Sequence, residues 1–142
     1  MTNTAHVPLK LFQFPRVFSI PNLSPFCCKL ETWLRIVRIP YAVVDTPDPR
    51  KGPRGQLPFI EDAGVRIADS SHIVDHLVKT HGVDPDAGLD PSQRAIGLLV
   101  QRTLENHYAF ILAYTHLVRE EGLQHTRSRF DAVRVRDRKS VV

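Results

Sequence analysis

"NLSPFCCKLETWLRIVRIPYAVVD", residues 22–45, changes periodicity part-way along, and that change sets the architecture. Phe26, Cys27, Leu30, Trp33, Leu34 and Val37 recur at the three- and four-residue intervals of one helical stripe. Ser24 stands where an N-cap is needed. Pro25 follows at the first helical position, where a missing N–H costs nothing. Arg38 marks the end of the helix, because Pro40 drives the residue before it out of the helical region. "YAVVD", 41–45, is short and β-branched and reads as a strand. Upstream, "LKLFQF", 9–14, alternates apolar and polar residues as a strand with one buried face does. Strand, helix and strand in that order predict a parallel βαβ unit.

Downstream, "TPDPRKGPRGQ", 46–56, is too rich in proline and glycine for a long helix and is expected to be a loop with one short turn. "LPFIED" and "VRIAD" flank Ala63 and Gly64, which predicts a β-hairpin. Ile73, Val74, Leu77 and Val78 then form one stripe of a helix over 70–81. The sum is a small mixed α/β sheet, βαβ then ββα, with helices packed on it. After "GVDPDAGL", Asp90, Pro91 and Gln93 supply a cap, a first-turn proline and a capping-box partner, so a long helix is expected from Pro91. Its stripe runs through Ile96, Leu99, Val100, Leu104, His107, Ile111, Tyr114 and Val118, and Gly122 is expected to stop it. The expected organisation is an α/β domain at 1–82, a linker at 83–90, an incomplete helical domain at 91–122 and a basic, disordered tail at 123–142.

The chain has 142 residues, 42% of them apolar and 24% charged, as a soluble globular protein would. No apolar run approaches the length of a membrane span. The N-terminus lacks a secretory pattern, so a cytoplasmic location is expected. Cys27 and Cys28 are adjacent, and adjacent cysteines rarely bridge each other. The net charge of +4 lies in the tail: Arg127, Arg129, Arg134, Arg136, Arg138 and Lys139 face only Asp131 and Asp137 there. The remaining body is neutral, and the tail lacks the interleaved aromatics of a nucleic-acid arm, so no nucleic-acid partner is expected.

Three short stretches can carry chemistry. In S-P-F-C, Ser24 is a helix cap, and the free amides and partial positive charge of that helix start favour an anion such as a thiolate. Cys27 is either a small apolar side chain on the stripe or a tuned thiol, and Cys28 lies further round the helix. Pro58 removes a ladder donor at a strand start, so it serves an edge, a bend or a cis peptide. Asp69, Ser70 and Ser71 open a helix, as caps or as an anion site. His72 and His76 are one turn apart, but no third ligand has fitting spacing and no metal is expected. Asp75 and His107 read as solvated or boundary positions.

The combination of S-P-F-C opening a helix, "QLPFIED" at a hairpin, "ADSSHI" opening another helix and a capped long helix resembles the glutathione S-transferase superfamily. "LSPFCCKLETWLRIVRIPY" and "LPFIEDAGVRIADSSHIVDHL" are similar to its metaxin-related, failed-axon-connections-like branch. The resemblance spans about residue 9 to 121. It implies a thioredoxin-like N-terminal domain and the start of an all-α domain, with glutathione as co-substrate. It further implies a cis Pro58 that exposes the Leu57 backbone to the cysteinyl part of glutathione, and Asp69 and Ser70 at the γ-glutamyl end. Ser24 would hydrogen-bond the glutathione sulfur and favour its thiolate, which would attack a small electrophile. Tyr108 and Tyr114 are the pocket-lining candidates. Two other functions go with the same fold. One is a non-catalytic, metaxin-like adaptor. The other is a glutathione-dependent thiol–disulfide reductase using Cys27 or Cys28, although the first cysteine of the glutaredoxin C-P-x-C motif is replaced here by Ser24. The sequence after Gly122 does not look core-forming, so a truncated or frame-shifted helical domain is expected. An apolar helix short of packing partners would expose Ile96, Val100 and Ile111, which predicts homodimerisation or marginal stability.

Overall fold

The computed structural model describes residues 9–17 and 20–128. The chain divides between Ala87 and Gly88 into two compact units. The first holds strands β1 (Leu9–Gln13), β2 (Tyr41–Asp45), β3 (Phe59–Asp62) and β4 (Val65–Ala68), with helices α1 (Pro25–Ile36) and α2 (Ser70–His81). Sheet order is β2-β1-β3-β4. β1 and β2 run parallel, as the βαβ reading requires, and β3 is antiparallel to both β1 and β4. This is the thioredoxin-like arrangement.

Alternation in β1 sends Leu9, Leu11 and Gln13 to one buried face. The first two join Leu30 and Leu34 of α1, Ile39, Ile60 of β3, and Ile73 and Leu77 of α2 in a single core. Burial of each such side chain is worth about 1.5–3 kcal/mol, which is why the two helical stripes dock on this face. α1 ends two residues before Arg38, which adopts φ 58 and lets the Ile39 N–H donate back to Leu34 O at 3.2 Å. That closure satisfies a carbonyl at the helix end while burying Ile39. β1 stops at Gln13 because the Phe14 carbonyl accepts the Asn22 amide at 2.7 Å. Residues 46–56 hold one short 3₁₀ turn, Pro49–Lys51. The hairpin turns at Ala63 (φ 48) and Gly64 (φ 83), the left-handed pair that a two-residue turn between twisted strands demands.

The second unit opens with α3 (Pro91–Thr103), and Asp90 and Gln93 form the expected capping box. The expected single helix widens by one π turn at Leu104–Tyr108, where the Ala109 N–H donates to Leu104 O, and continues as α4 (Ala109–Leu117). It breaks at Val118 and Arg119, not at Gly122, and residues 120–128 are helical again. Gly122 is instead a close-contact residue: a Cβ there would collide with the Thr115 carbonyl. Thr126 Oγ1 donates to His116 O at 3.0 Å across the same turn. Residues 123–128 are therefore helical where a disordered tail is expected, and the rest of the basic tail lies outside the described residues. Ile96, Leu99, Val100, Ile111 and Tyr114 are all more than half exposed. No helix among the described residues is long and apolar enough to cross a membrane.

Candidate functional site

Ser24 caps α1 with an extended backbone, and its Oγ accepts the Cys27 N–H at 3.4 Å. Its own N–H donates to Asn22 Oδ1 at 3.0 Å, while Asn22 Nδ2 holds Phe14 O. The Cys28 thiol donates to Asn22 O at 3.5 Å. Asn22 is buried and ties the end of β1 to the cap, so it positions Ser24. The local Asn-x-Ser pattern of an Asx turn was the available signal for it.

Cys27 is fully buried, and burial pushes its thiol above the ordinary range although bonds from Ser24 and the Phe14 backbone pull the other way. It packs with Leu57, Phe59 and Ala68, flanked by Phe12 and Phe14. Cys28 is partly exposed, and both thiols are free.

The Leu57–Pro58 peptide is cis and leads directly into β3. At the far side of the hairpin Asp69 adopts φ 76 and ψ 120, a positive-φ conformation that costs a non-glycine residue about 1–3 kcal/mol. There its carboxylate accepts the Ser71 N–H at 2.9 Å and the His72 N–H at 3.5 Å. Ser70 is buried behind it. Lys29 of α1 reaches over to this corner, with Nζ 3.4 Å from Ser70 Oγ and 3.3 Å from Ser71 Oγ.

Sheet register brings these corners together. Phe12, Phe59 and Ala68 lie in one row across β1, β3 and β4. The exit of β1 toward Ser24, the Leu57–Pro58 entry to β3 and the Asp69–Ser70 exit of β4 therefore share one end of the sheet. Two helix N-termini, a hydroxyl, a carboxylate and an ammonium lie at that end of the sheet. Such a corner can hold a small molecule bearing both charges and an anionic centre. Tyr108 and Tyr114 belong to the second unit, more than half exposed.

Two polar clusters escaped the sequence reading. Glu31 on α1 is buried and accepts Gln13 Nε2, Arg16 Nη2 and Arg35 Nη2, each at 2.7 Å, and Tyr41 Oη at 3.2 Å. Burial raises its carboxyl, but the bonds from Gln13, Arg35 and Arg16 more than offset that and hold it below the usual range. At the opposite end of β3, Asp62 Oδ2 meets His76 Nε2 at 2.9 Å and His81 Nε2 at 3.2 Å. Burial raises this carboxyl too, and the two imidazoles bring it below its ordinary value. His76 thus faces Asp62, while His72 is exposed.

Residues 25–122 match the glutathione S-transferase N-terminal domain. The chain belongs to the glutathione S-transferase family. Failed axon connections from Drosophila melanogaster is 41% identical over 113 residues, 80% of this chain and 27% of the fly protein. The isoprene-epoxide–glutathione S-transferase of Rhodococcus sp. (strain AD45) is 30% identical over 104 residues, 70% of this chain and 43% of that enzyme. The chain thus spans less than half the length of either relative. A glutathione S-transferase structure from Rhodospirillum rubrum F11 superposes with a TM-score of 0.63 at 17% identity, covering 87% of this chain and 62% of that one. At that identity the match shows the shared fold alone.

Proposed function

We propose that this member of the family binds glutathione at the corner built by Ser24, Leu57, Pro58, Asp69 and Ser70, and transfers its thiol to a small electrophile. The observation that carries the reading is the shared row of Phe12, Phe59 and Ala68, which sets the three corners at one end of the sheet. Ser24 Oγ accepts from Cys27 N–H and keeps a hydroxyl proton to donate to sulfur. A donor there favours thiolate over thiol, so more nucleophile is present at neutral pH. The thiol proton leaves to solvent, the thiolate sulfur forms a bond to a soft electrophilic carbon, and the bond broken at that carbon gives its electron pair to the departing atom, which takes a proton from solvent or leaves as an anion. Family membership and the named bacterial transferase support this reading.

A second reading is an adaptor that keeps the fold without catalysis. It draws on the higher identity to the fly protein, whose name specifies no reaction. The reductase reading is weakened by the buried Cys27 with its raised thiol and by serine in place of the attacking cysteine. We extend the transferase reading to a homodimer in the reducing cytoplasm, with Ile96, Val100 and Ile111 covered on association. Retention on immobilised glutathione tests the proposal. It requires retention of the wild-type chain and loss of it in Asp69→Ala and Ser70→Ala. Folded wild-type protein passing straight through would select the adaptor.

A further inference from the structure

We infer that the sheet carries a second ligand site, separate from the glutathione corner and fitted to a nucleoside monophosphate. Alternation along β1 and β3 puts Leu11 and Ile60 in one core cluster and turns Phe12 and Phe59 to the opposite face. On that face lies a cavity of about 390 Å³, within the range of small-ligand pockets. Its lining includes Phe12, Val44, Asp45, Lys51, Phe59 and Arg66, all of the first unit.

The floor of the cavity is an unfinished stack. Val44, Phe12 and Phe59 are successive partners across β2, β1 and β3, and the two rings stack with centroids 4.2 Å apart. Gly52 closes the Phe59 side, where a Cβ would stand 3.2 Å from Phe59 Cδ1. On the Phe12 side the row continues with a smaller side chain, and both Phe12 and Val44 are partly exposed. A flat ring laid over Val44 would add a third member to the stack, as bases do on aromatic side chains.

Polar groups around this slot select what the ring carries. The Asp45 carboxylate makes no hydrogen bond or ion pair among the described residues, and neither does the Lys51 ammonium. Asp48 acts on Lys51 only through space, since Arg50 holds both Asp48 oxygens at 2.9 Å. Arg66 donates through Nε to Glu61 Oε2 at 3.2 Å, which leaves its terminal nitrogens for another acceptor. The cavity thus joins a stacking surface to one acceptor and two cations. A phosphate monoester suits the cations, whose bonds to it are charge-assisted. Guanine suits Asp45, because its ring N–H and amino group lie side by side and a carboxylate can accept both. Adenine sets a ring acceptor beside its amine instead.

Calorimetric titration of the full chain with guanosine monophosphate tests this, with adenosine monophosphate and guanosine as comparisons. Guanosine monophosphate should bind about tenfold more tightly than either, the scale of one charge-assisted hydrogen bond. Lys51→Met should remove the advantage over guanosine, and Asp45→Asn the advantage over adenosine monophosphate. Val44→Phe fills the slot with a ring of the protein and should abolish binding without altering circular dichroism. No saturable binding to folded wild-type chain overturns the inference, as does equal affinity for all three ligands. Undiminished binding in a folded Val44→Phe chain overturns it too. Elution of the chain from immobilised glutathione by guanosine monophosphate would also overturn it, because the two ligands would then share one site. Nucleotide binding by a chain that passes through immobilised glutathione supports it, since the two sites have no residue in common.

Discussion

Phe12 of β1 stands opposite Phe59 of β3, and their rings stack with centroids 4.2 Å apart and planes 8° from parallel. The Arg66 guanidinium lies over both rings, 5.9 and 5.8 Å from their centres. A slip of one residue between these strands would exchange the faces of Phe59 and Ile60, which belong to different core clusters, so the stack fixes register as well as adding packing energy. Register in turn keeps the Leu57 corner level with the cap at Ser24 and the turn at Asp69. The proposed glutathione site depends on this pair although neither ring is expected to touch glutathione.

Ser24 has a role separable from its capping. Ser24→Ala removes both the bond to Cys27 N and the donor proposed for sulfur. The cap should cost about 1 kcal/mol in urea denaturation. The thiolate absorbance of bound glutathione near neutral pH should fall, and conjugation should slow by about ten- to a hundredfold. Thiolate absorbance equal to wild type would remove Ser24 from the chemistry.

The two cysteines should separate cleanly under alkylation. Cys28 is partly exposed and Cys27 is fully buried with a raised thiol, so one thiol per chain should react promptly in the native state and two after denaturation. Peptide mapping should place the native adduct on Cys28. A prompt adduct on Cys27 would contradict the packing against Leu57 and Ala68.

Asp62 makes acid stability a local property. Burial raises its carboxyl, the bonds to His76 and His81 lower it more, and the net folded value lies below that of an unfolded aspartate, about 3.9. A depressed folded value contributes stability above the unfolded value and loses it as pH falls toward the folded one. Urea midpoints should therefore decline from about pH 5 to about pH 3, and Asp62→Asn should flatten part of that decline. Glu31, shifted in the same direction, should sustain the remainder. An identical slope in Asp62→Asn would deny the cluster this role.

Gly122 permits the close approach of the final helical segment to α4. Gly122→Ala places a methyl group against the Thr115 carbonyl and should destabilise that turn by about 1–3 kcal/mol, despite the better helix propensity of alanine. Limited proteolysis should then cut between residues 115 and 128 sooner than in wild type. Slower cutting would show that propensity outweighs the contact.

Much of the first unit was legible because its signals are local. Alternation in Leu9–Gln13, the stripe from Cys27 to Leu34 and the Ala63–Gly64 turn each state their own conformation within a few residues. The candidate corners were legible too, since Ser24, Asp69 and Ser70 announce helix starts. The Asp62 cluster was not, because its imidazoles lie 14 and 19 residues away and meet the carboxylate only through the hairpin and the full length of α2. Glu31 reads as a polar position on a helix until Gln13, 18 residues upstream, draws it inward. Lys29 reads as a solvated charge because its partners sit 41 and 42 residues further on. Gly122 carries the sequence signature of a stop, and a steric requirement set by Thr115 leaves no mark of its own nearby.

The most direct test of a single glutathione-binding corner is an amide-resolved NMR titration of the full chain with glutathione. Resonances of Ser24, Leu57 and Ser70 should move together and fit one dissociation constant, while Asp62 and His81 at the other end of the sheet stay still. Movement at only one of the three corners, or none at saturating glutathione, would contradict the account.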